Sequence, residues 1–372
     1  MKKLLCFFIA VLVVSIAVIV GIIWWQDRAH HHEITQRGPE LYTNVIVFGD
    51  SLSDSADYQS DDPHGNNYWV QPAGILSPKG APITSEISKL DHKRKTWFNY
   101  FVNLMPLRTE KRIYTIRELK NNLAYHHNVS FAVASAETGN NFITDTTSAT
   151  VADSLCTKGV HDYGSYNCVP GVLKQVHMYL ENVNYKPNPQ SLFIIWAGGN
   201  DFYQNIVRMM TQNGQAISHP IDNIVQAVQL LIDQGVPAHH IYVLNLPNFS
   251  MVPAVRGLLA KGIQSPLMFN GALHVVSWIS DIFNLTLKAN LVLHTFGQFK
   301  PSHVFPLDQL FLDVYYNKHQ LQARLKLNKE VGKTCAESDA LPVCSGFLFY
   351  NIMHPTTNIH HYLAKRLYEY MS

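Results

Sequence analysis

Cysteine and charge are both scarce in this sequence. Five of the 372 residues are cysteines, and the lack of a Cys-x-x-Cys pattern argues against a zinc site built on thiolates. Charged residues make up 15% of the chain and the formal net charge is +2, so the composition favours neither nucleic acid nor an acidic ligand as partner. No internal repeat or low-complexity tract is present. We expect no metal and no other cofactor.

The longest uncharged run lies at the amino end, from Leu4 to Trp25, behind Lys2 and Lys3. As a helix it would span roughly 30 Å, enough to cross a bilayer. We predict an uncleaved signal anchor over residues 1–25, with the two lysines in the cytoplasm. A cleaved signal peptide is the alternative. A polar linker is predicted over residues 26–40, followed by an exported domain over residues 41–372.

Apart from Cys6 in the apolar run, the cysteines form two close pairs, Cys156/Cys168 and Cys335/Cys344. Four cysteines allow three pairings, and the sequence alone does not choose among them. Export to an oxidising compartment favours two local disulfides. Four unrelated thiols are the alternative.

Buried-strand patterns alternate with helical patterns along the exported part, which predicts a three-layer α/β/α domain. The predicted strands start with the apolar run Val45–Phe48 and continue with Val129–Ala136, Ser191–Ala197, His240–Leu246 and His303–Leu307. We expect a mostly parallel, five-stranded sheet in the order 2-1-3-4-5. The polar stretch from Tyr58 to Lys95 is too long for an ordinary connection and is predicted to be a functional insertion.

Three polar groups follow strands or lie in loops of this domain: Ser51, Asn200 and His354. Acyl transfer needs a nucleophile, a base that takes its proton, and donors for the oxyanion. Ser51 follows Gly49-Asp50 at a strand end and is the candidate nucleophile; an ordinary helix cap is the alternative. His354 is the candidate base. The candidate oxyanion donors are the Ser51 N–H, the Asn200 side chain and a backbone N–H near Ser135.

Together, the blocks Val45–Asp54, Gly198-Gly-Asn-Asp201 and His354-Pro-Thr356 resemble the GDSL, or SGNH, hydrolases, which have a flavodoxin-like fold. Gly80–Thr84 and Arg94–Tyr100 resemble the bacterial group of phospholipases A, lysophospholipases and glycerophospholipid:cholesterol acyltransferases. The resemblance implies cleavage of phospholipid or lysophospholipid esters, with a sterol as a possible acyl acceptor. The resemblance also points to a bacterial host, in which the predicted anchor would hold the domain on the periplasmic face of the inner membrane; cleavage of the amino end would make it a secreted protein.

Two positions depart from the family pattern. Ser135 stands where the family has a glycine donor, and a backbone N–H survives that change. Asn351 stands where the family has the aspartate that orients the catalytic histidine. An amide oxygen can accept the Nδ1–H but supplies no charge; Asp339, Glu337 and Asp313 are the alternative carboxylates.

Two other functions remain open from the sequence. The chain could be a carbohydrate or short-chain esterase, because this fold supports many chemistries. It could also be a membrane-tethered pseudoenzyme that binds lipid, an interpretation that depends on Asn351.

Overall fold

The computed structural model describes residues 40–55, 96–134, 136–140, 142–143, 150–151, 169–203, 215–316, 321–327, 332–338, 344 and 346–372. The predicted anchor, nearly all of the predicted linker, and the insertion lie outside these ranges. Among the described residues, no helix is both long enough and apolar enough to cross a bilayer.

The main sheet contains six described strands in parallel pairing. These are β1 (Val45–Gly49), β2 (Ile113–Thr115), β3 (Asn128–Ser130), β7 (Leu192–Trp196), β8 (Ile241–Leu244) and β9 (Val304–Phe305). Their order is β2-β3-β1-β7-β8-β9. The predicted order 2-1-3-4-5 is confirmed for the five strands read from the sequence. A second, antiparallel sheet contains β4 (Phe142–Ile143), β5 (Thr150–Val151) and β6 (Val169–Pro170), in the order β5-β4-β6.

The prediction of five strands was wrong, because β2 adds a sixth at the edge of the main sheet. Its three residues are too few to show a strand period. The second predicted strand was also too long, since β3 ends at Ser130. Beyond that point the chain still donates to β1, from Phe131 N to Val47 O and from Val133 N to Gly49 O, but without regular strand structure.

The helices within the described ranges lie on both faces of the sheet. They are α1 (Trp97–Leu104), α2 (Leu123–His126), α3 (Val172–Asn182), α4 (Gln215–Asp233), α5 (Pro253–Gly262), α6 (Pro266–His294), α7 (Leu307–Tyr316), α8 (Leu321–Arg324) and α9 (Thr357–Met371). Alternate residues of β1 join opposite cores, because side chains of a strand alternate between its faces. Ile46 and Phe48 pack with residues of α3, α4 and α6. Val45 and Val47 pack with residues of α1, α7 and α9. The three-layer prediction is therefore confirmed.

Candidate active site

Ser51 lies in the turn that follows β1, at the carboxyl edge of the sheet, and is buried. Gly49 ends the strand so close to β7 that a Cβ on it would lie 2.6 Å from Trp196 O. The glycine is therefore required by this close approach. Gln175 of α3 holds the same backbone unit, accepting from Gly49 N and donating to Gly49 O at 2.9 Å each. The strand end that presents Ser51 is thus fixed from two sides.

His354 lies in the loop before α9 and is buried. This loop is tied to the segment that holds Cys335 and Cys344, and the structure joins these two cysteines as a disulfide. Cys335 N donates to Phe349 O, and Tyr350 N donates to His354 O at 2.8 Å. Cys156 and Cys168 lie outside the described residues, so their pairing stays a prediction.

Ser51, His354 and Asn351 form a hydrogen-bonded series. Ser51 Oγ lies 2.8 Å from His354 Nε2, and His354 Nδ1 lies 2.9 Å from Asn351 Oδ1. Asn351 Oδ1 also accepts from the backbone N–H groups of Met353, at 2.9 Å, and His354, at 2.8 Å. Because two N–H groups point at it, this atom is the amide oxygen and not the nitrogen.

That oxygen determines the histidine tautomer. An acceptor beside Nδ1 requires the proton on Nδ1, so Nε2 of the neutral ring carries a lone pair toward the Ser51 hydroxyl. Burial lowers the pKa of His354 to about 4, which keeps the ring neutral at physiological pH. The arrangement can therefore accept the serine proton as a general base does.

The alternative carboxylates named from the sequence are placed as follows. Glu337 accepts a hydrogen bond from the Thr334 hydroxyl at 2.7 Å. Asp313, which lies on α7, lines a different cavity. Asp339 lies outside the described residues. The structure thus places Asn351, at the position where the sequence predicted the orienting group, against the ring of His354.

Asn200 lies at the carboxyl edge of the sheet, in the segment that follows β7 and Gly198. Gly198 has φ of +104°, a conformation that favours glycine. Asn200 Nδ2 donates to Ala136 O at 2.9 Å, and the residue lines the same cavity as Ser51. An amide nitrogen carries two N–H bonds, so this contact uses one of them. Ser135 lies outside the described residues.

Three acidic side chains that sequence reasoning did not single out lie around this edge: Asp50, Glu137 and Asp201. Burial raises the pKa of Asp50 to about 7, and burial together with the Asp201 charge raises that of Glu137 to about 7. Burial also raises the pKa of Asp201, although Thr138 donates to it through its hydroxyl at 2.7 Å. The sequence shows Asp50 next to Ser51, but it does not show that Asp50 is buried.

A cavity of about 180 Å³ opens at Ser51 and His354. Most of its wall is apolar, and the residues that form this part are Leu52, Trp196, Leu246, Pro247, Phe249, Val252 and Met353. A few polar groups, Ser51, Asn200 and His354 among them, line a mostly apolar space, which is the usual form of a small-molecule site.

One group among the described residues could offer ligands to a metal ion. Glu40, His239 and His240 place their ligand atoms within 4.8 Å of one another. Glu40 and His240 precede β1 and β8, whereas Ser51 follows β1, so this group lies at the opposite edge of the parallel sheet. His240 Nε2 lies 3.3 Å from Glu40 Oε1 as a histidine–carboxylate contact.

Comparison with protein families gives one match that covers most of the chain. The model of the GDSL-like Lipase/Acylhydrolase family matches residues 45–367. This range includes Ser51, Asn200 and His354. No match was found among curated proteins.

Proposed function

This chain belongs to the GDSL-like lipase/acylhydrolase family, and we propose that it hydrolyses acyl esters of phospholipids or lysophospholipids through an acyl-enzyme on Ser51. Membership of this family supports an esterase or lipolytic hydrolase activity for the chain. The observation that carries the assignment of the nucleophile is the 2.8 Å contact between Ser51 Oγ and His354 Nε2.

In the first half of the reaction, Ser51 Oγ attacks the ester carbonyl carbon while His354 Nε2 takes the hydroxyl proton. The carbonyl oxygen becomes an oxyanion, stabilised by the Ser51 N–H, the Asn200 side chain and a backbone N–H near Ser135. The C–O bond to the alcohol then breaks, and His354 gives its proton to the leaving alkoxide. The products of this half are the acyl-enzyme and the free alcohol.

In the second half, water or another alcohol attacks the acyl-enzyme while His354 again acts as base. Water gives a carboxylic acid, and a sterol hydroxyl would give a sterol ester. Asn351 positions His354 throughout. It keeps the proton on Nδ1 before each transfer, although it cannot stabilise the imidazolium with a full charge.

The lipid substrate is supported by the apolar wall beside the serine, which suits an acyl chain. The export of the chain and its tethering to the membrane by residues 1–25 are part of the same proposal, because phospholipids lie in the membrane.

A short-chain esterase is the second candidate function, and the cavity size favours it. Pockets for drug-sized ligands occupy about 300–1,000 Å³. The described cavity of about 180 Å³ is smaller, so it holds part of an acyl chain and not a whole phospholipid. A lipid substrate would have to extend beyond it.

An ester panel separates these candidates. The full chain is incubated with phospholipid, lysophospholipid and acetyl or butyryl esters, with and without a sterol, and Ser51→Ala is the control. We expect the parent chain to release fatty acid from the lipids and the Ser51→Ala control to release none. Turnover of acetyl esters alone would support the short-chain esterase. Lipid binding without turnover of any ester would support a pseudoenzyme.

A further inference from the structure

Helix α6 is apolar on its outer as well as its inner face. Its 29 residues include one acidic and one basic residue, Asp281 and Lys288, besides two histidines. An outer helix of a water-soluble domain normally presents charged and polar residues to solvent. This composition therefore requires an explanation.

The exposed apolar residues of α6 form one stripe, which we call the outer stripe. Its members are Leu267, Met268, Val275, Trp278, Leu285 and Leu293. Leu267 is 83% exposed, Met268 66% and Trp278 65%. The steps from Leu267 through Val275, Trp278, Leu285 and Leu293 are eight, three, seven and eight residues, which return to the same side of a helix.

The opposite face of α6 supports the cavity wall. Asn284 Oδ1 accepts from Leu246 N at 3.0 Å, and Asn284 Nδ2 donates to Leu246 O at 2.8 Å. The Ser280 hydroxyl accepts from Phe249 N at 3.2 Å. Leu246 and Phe249 both line the cavity at Ser51. The outer stripe therefore belongs to a helix that borders the candidate active site.

The size of the outer stripe argues against a second copy of the chain as its occupant. A helix of this length is about 43 Å long and about 10 Å wide, so the stripe covers at most roughly 430 Å². Two such stripes would bury roughly 860 Å² in total, below the 1,200–2,000 Å² or so of stable interfaces. An area of this order is that of the largest apolar patch on a typical monomer, about 300–600 Å², which is often functional.

The sequence before Glu40 favours a lipid surface as the partner that covers the outer stripe. The apolar run ends at Trp25, and 14 residues separate it from Glu40, the first described residue. Fourteen residues reach at most about 50 Å. If residues 1–25 anchor the chain as proposed, this linker keeps the domain within that distance of a bilayer. Tryptophan and leucine, which the outer stripe contains, are also among the residues that interfacial helices present to lipid.

We propose that the outer stripe of α6 docks on the surface of a phospholipid bilayer. Because α6 lies between the outer stripe and the cavity wall, docking holds Leu246 and Phe249 about one helix diameter, roughly 10 Å, from the lipid phase. The inference rests on the proposed lipid-ester function, but docking itself needs no turnover.

The test measures whether the Trp278 indole enters lipid. The full chain carrying Ser51→Ala is placed in phosphatidylcholine vesicles with plain or brominated acyl chains. Subtracting the emission of the same chain with Trp278→Phe isolates the emission of Trp278. Tyr316→Trp, made in the Trp278→Phe chain, is the matched control, because Tyr316 is also 65% exposed but lies on α7.

We expect brominated lipid to quench roughly half or more of the Trp278 emission, because interfacial helices bury their apolar face about 5–10 Å into the bilayer boundary. The emission contributed by the Tyr316→Trp substitution should be quenched much less. Equal quenching at the two positions, or an unquenched Trp278, would overturn the proposal. A blue-shifted but unquenched Trp278 would also overturn it, by showing that protein covers the stripe.

The proposed function is measured separately, as hydrolysis of a soluble ester by the chain with Ser51 intact. Loss of that activity with normal quenching contradicts the esterase mechanism and not the docking. Normal activity without quenching contradicts the docking alone.

Discussion

Asn351 Oδ1 lies 2.9 Å from His354 Nδ1 and is held there by two backbone N–H groups of its own loop. In the serine protease template, replacing the aspartate with asparagine costs about ten-thousand-fold, because the amide stabilises the wrong tautomer. Here the backbone fixes which amide atom faces the ring. The asparagine therefore preserves the tautomer and lacks only the charge.

Asn351→Asp supplies that charge. A carboxylate beside the ring favours the imidazolium and raises the pKa of His354 above the value of about 4 that burial gives it. Since the neutral ring is the active base, the acid limb of kcat/KM should move to higher pH. Turnover at neutral pH should not fall and can rise.

The pH–rate profile of a soluble ester tests this expectation, with Asn351→Leu as the comparison because leucine removes the acceptor. The leucine variant should lose turnover, by roughly 10²–10⁴-fold if orientation is the main contribution. A large loss in Asn351→Asp would show that another group orients the histidine.

Asn200→Ala should lower kcat by roughly 10²–10³-fold with a smaller change in KM, because an oxyanion donor acts mainly in the transition state. The control is Asn223→Ala, since Asn223 Nδ2 also makes a hydrogen bond to a neighbour, the Thr138 hydroxyl, at 3.0 Å. The control should keep nearly parental kcat. Similar losses in both variants would mean that Asn200 serves the local fold and not the oxyanion.

Gly49→Ala should destabilise the fold, because its Cβ would meet Trp196 O at 2.6 Å. Overpacking of this kind costs about 1–3 kcal/mol. Gly257→Ala is the opposite case: the position is exposed on α5 with no atom near its added Cβ, so alanine should stabilise the helix by about 0.5–1 kcal/mol. Denaturant unfolding compares the two. A stable Gly49→Ala would show that the strand end can shift.

The Cys335–Cys344 disulfide should support both stability and activity. It closes a loop of about ten residues, for which chain entropy gives about 2–3 kcal/mol. It also lies next to Phe349 and Tyr350, which precede His354. The double variant Cys335→Ser/Cys344→Ser should therefore unfold at a lower temperature and turn over ester more slowly. Non-reducing peptide mapping should recover the two cysteines in one cross-linked peptide; free thiols would contradict the pairing.

The sheet and the histidine loop could be predicted because their signals are local. Fully buried parallel strands read as continuous apolar runs, as in Leu192–Trp196, and glycines mark their ends. What could not be predicted depends on tertiary contacts. Gln175 is one polar residue on the buried face of α3, and nothing local shows that it holds Gly49.

The Asn351 substitution shows the same limit. The sequence shows an amide in place of a carboxylate, but not that two backbone N–H groups fix its oxygen. Similarly, Asp50 is visible next to Ser51, whereas its raised pKa depends on burial by neighbouring elements. Such effects arise where several segments meet.

The central claim is that Ser51 is an activated nucleophile, and a fluorophosphonate probe tests it most directly. The full chain and its Ser51→Ala variant are treated with the probe, and circular dichroism confirms that both are folded. We predict labelling of the parent at Ser51, none in the variant, and loss of all ester hydrolysis in the variant. A folded parent that takes up no probe, or a variant that still hydrolyses ester, would contradict the account.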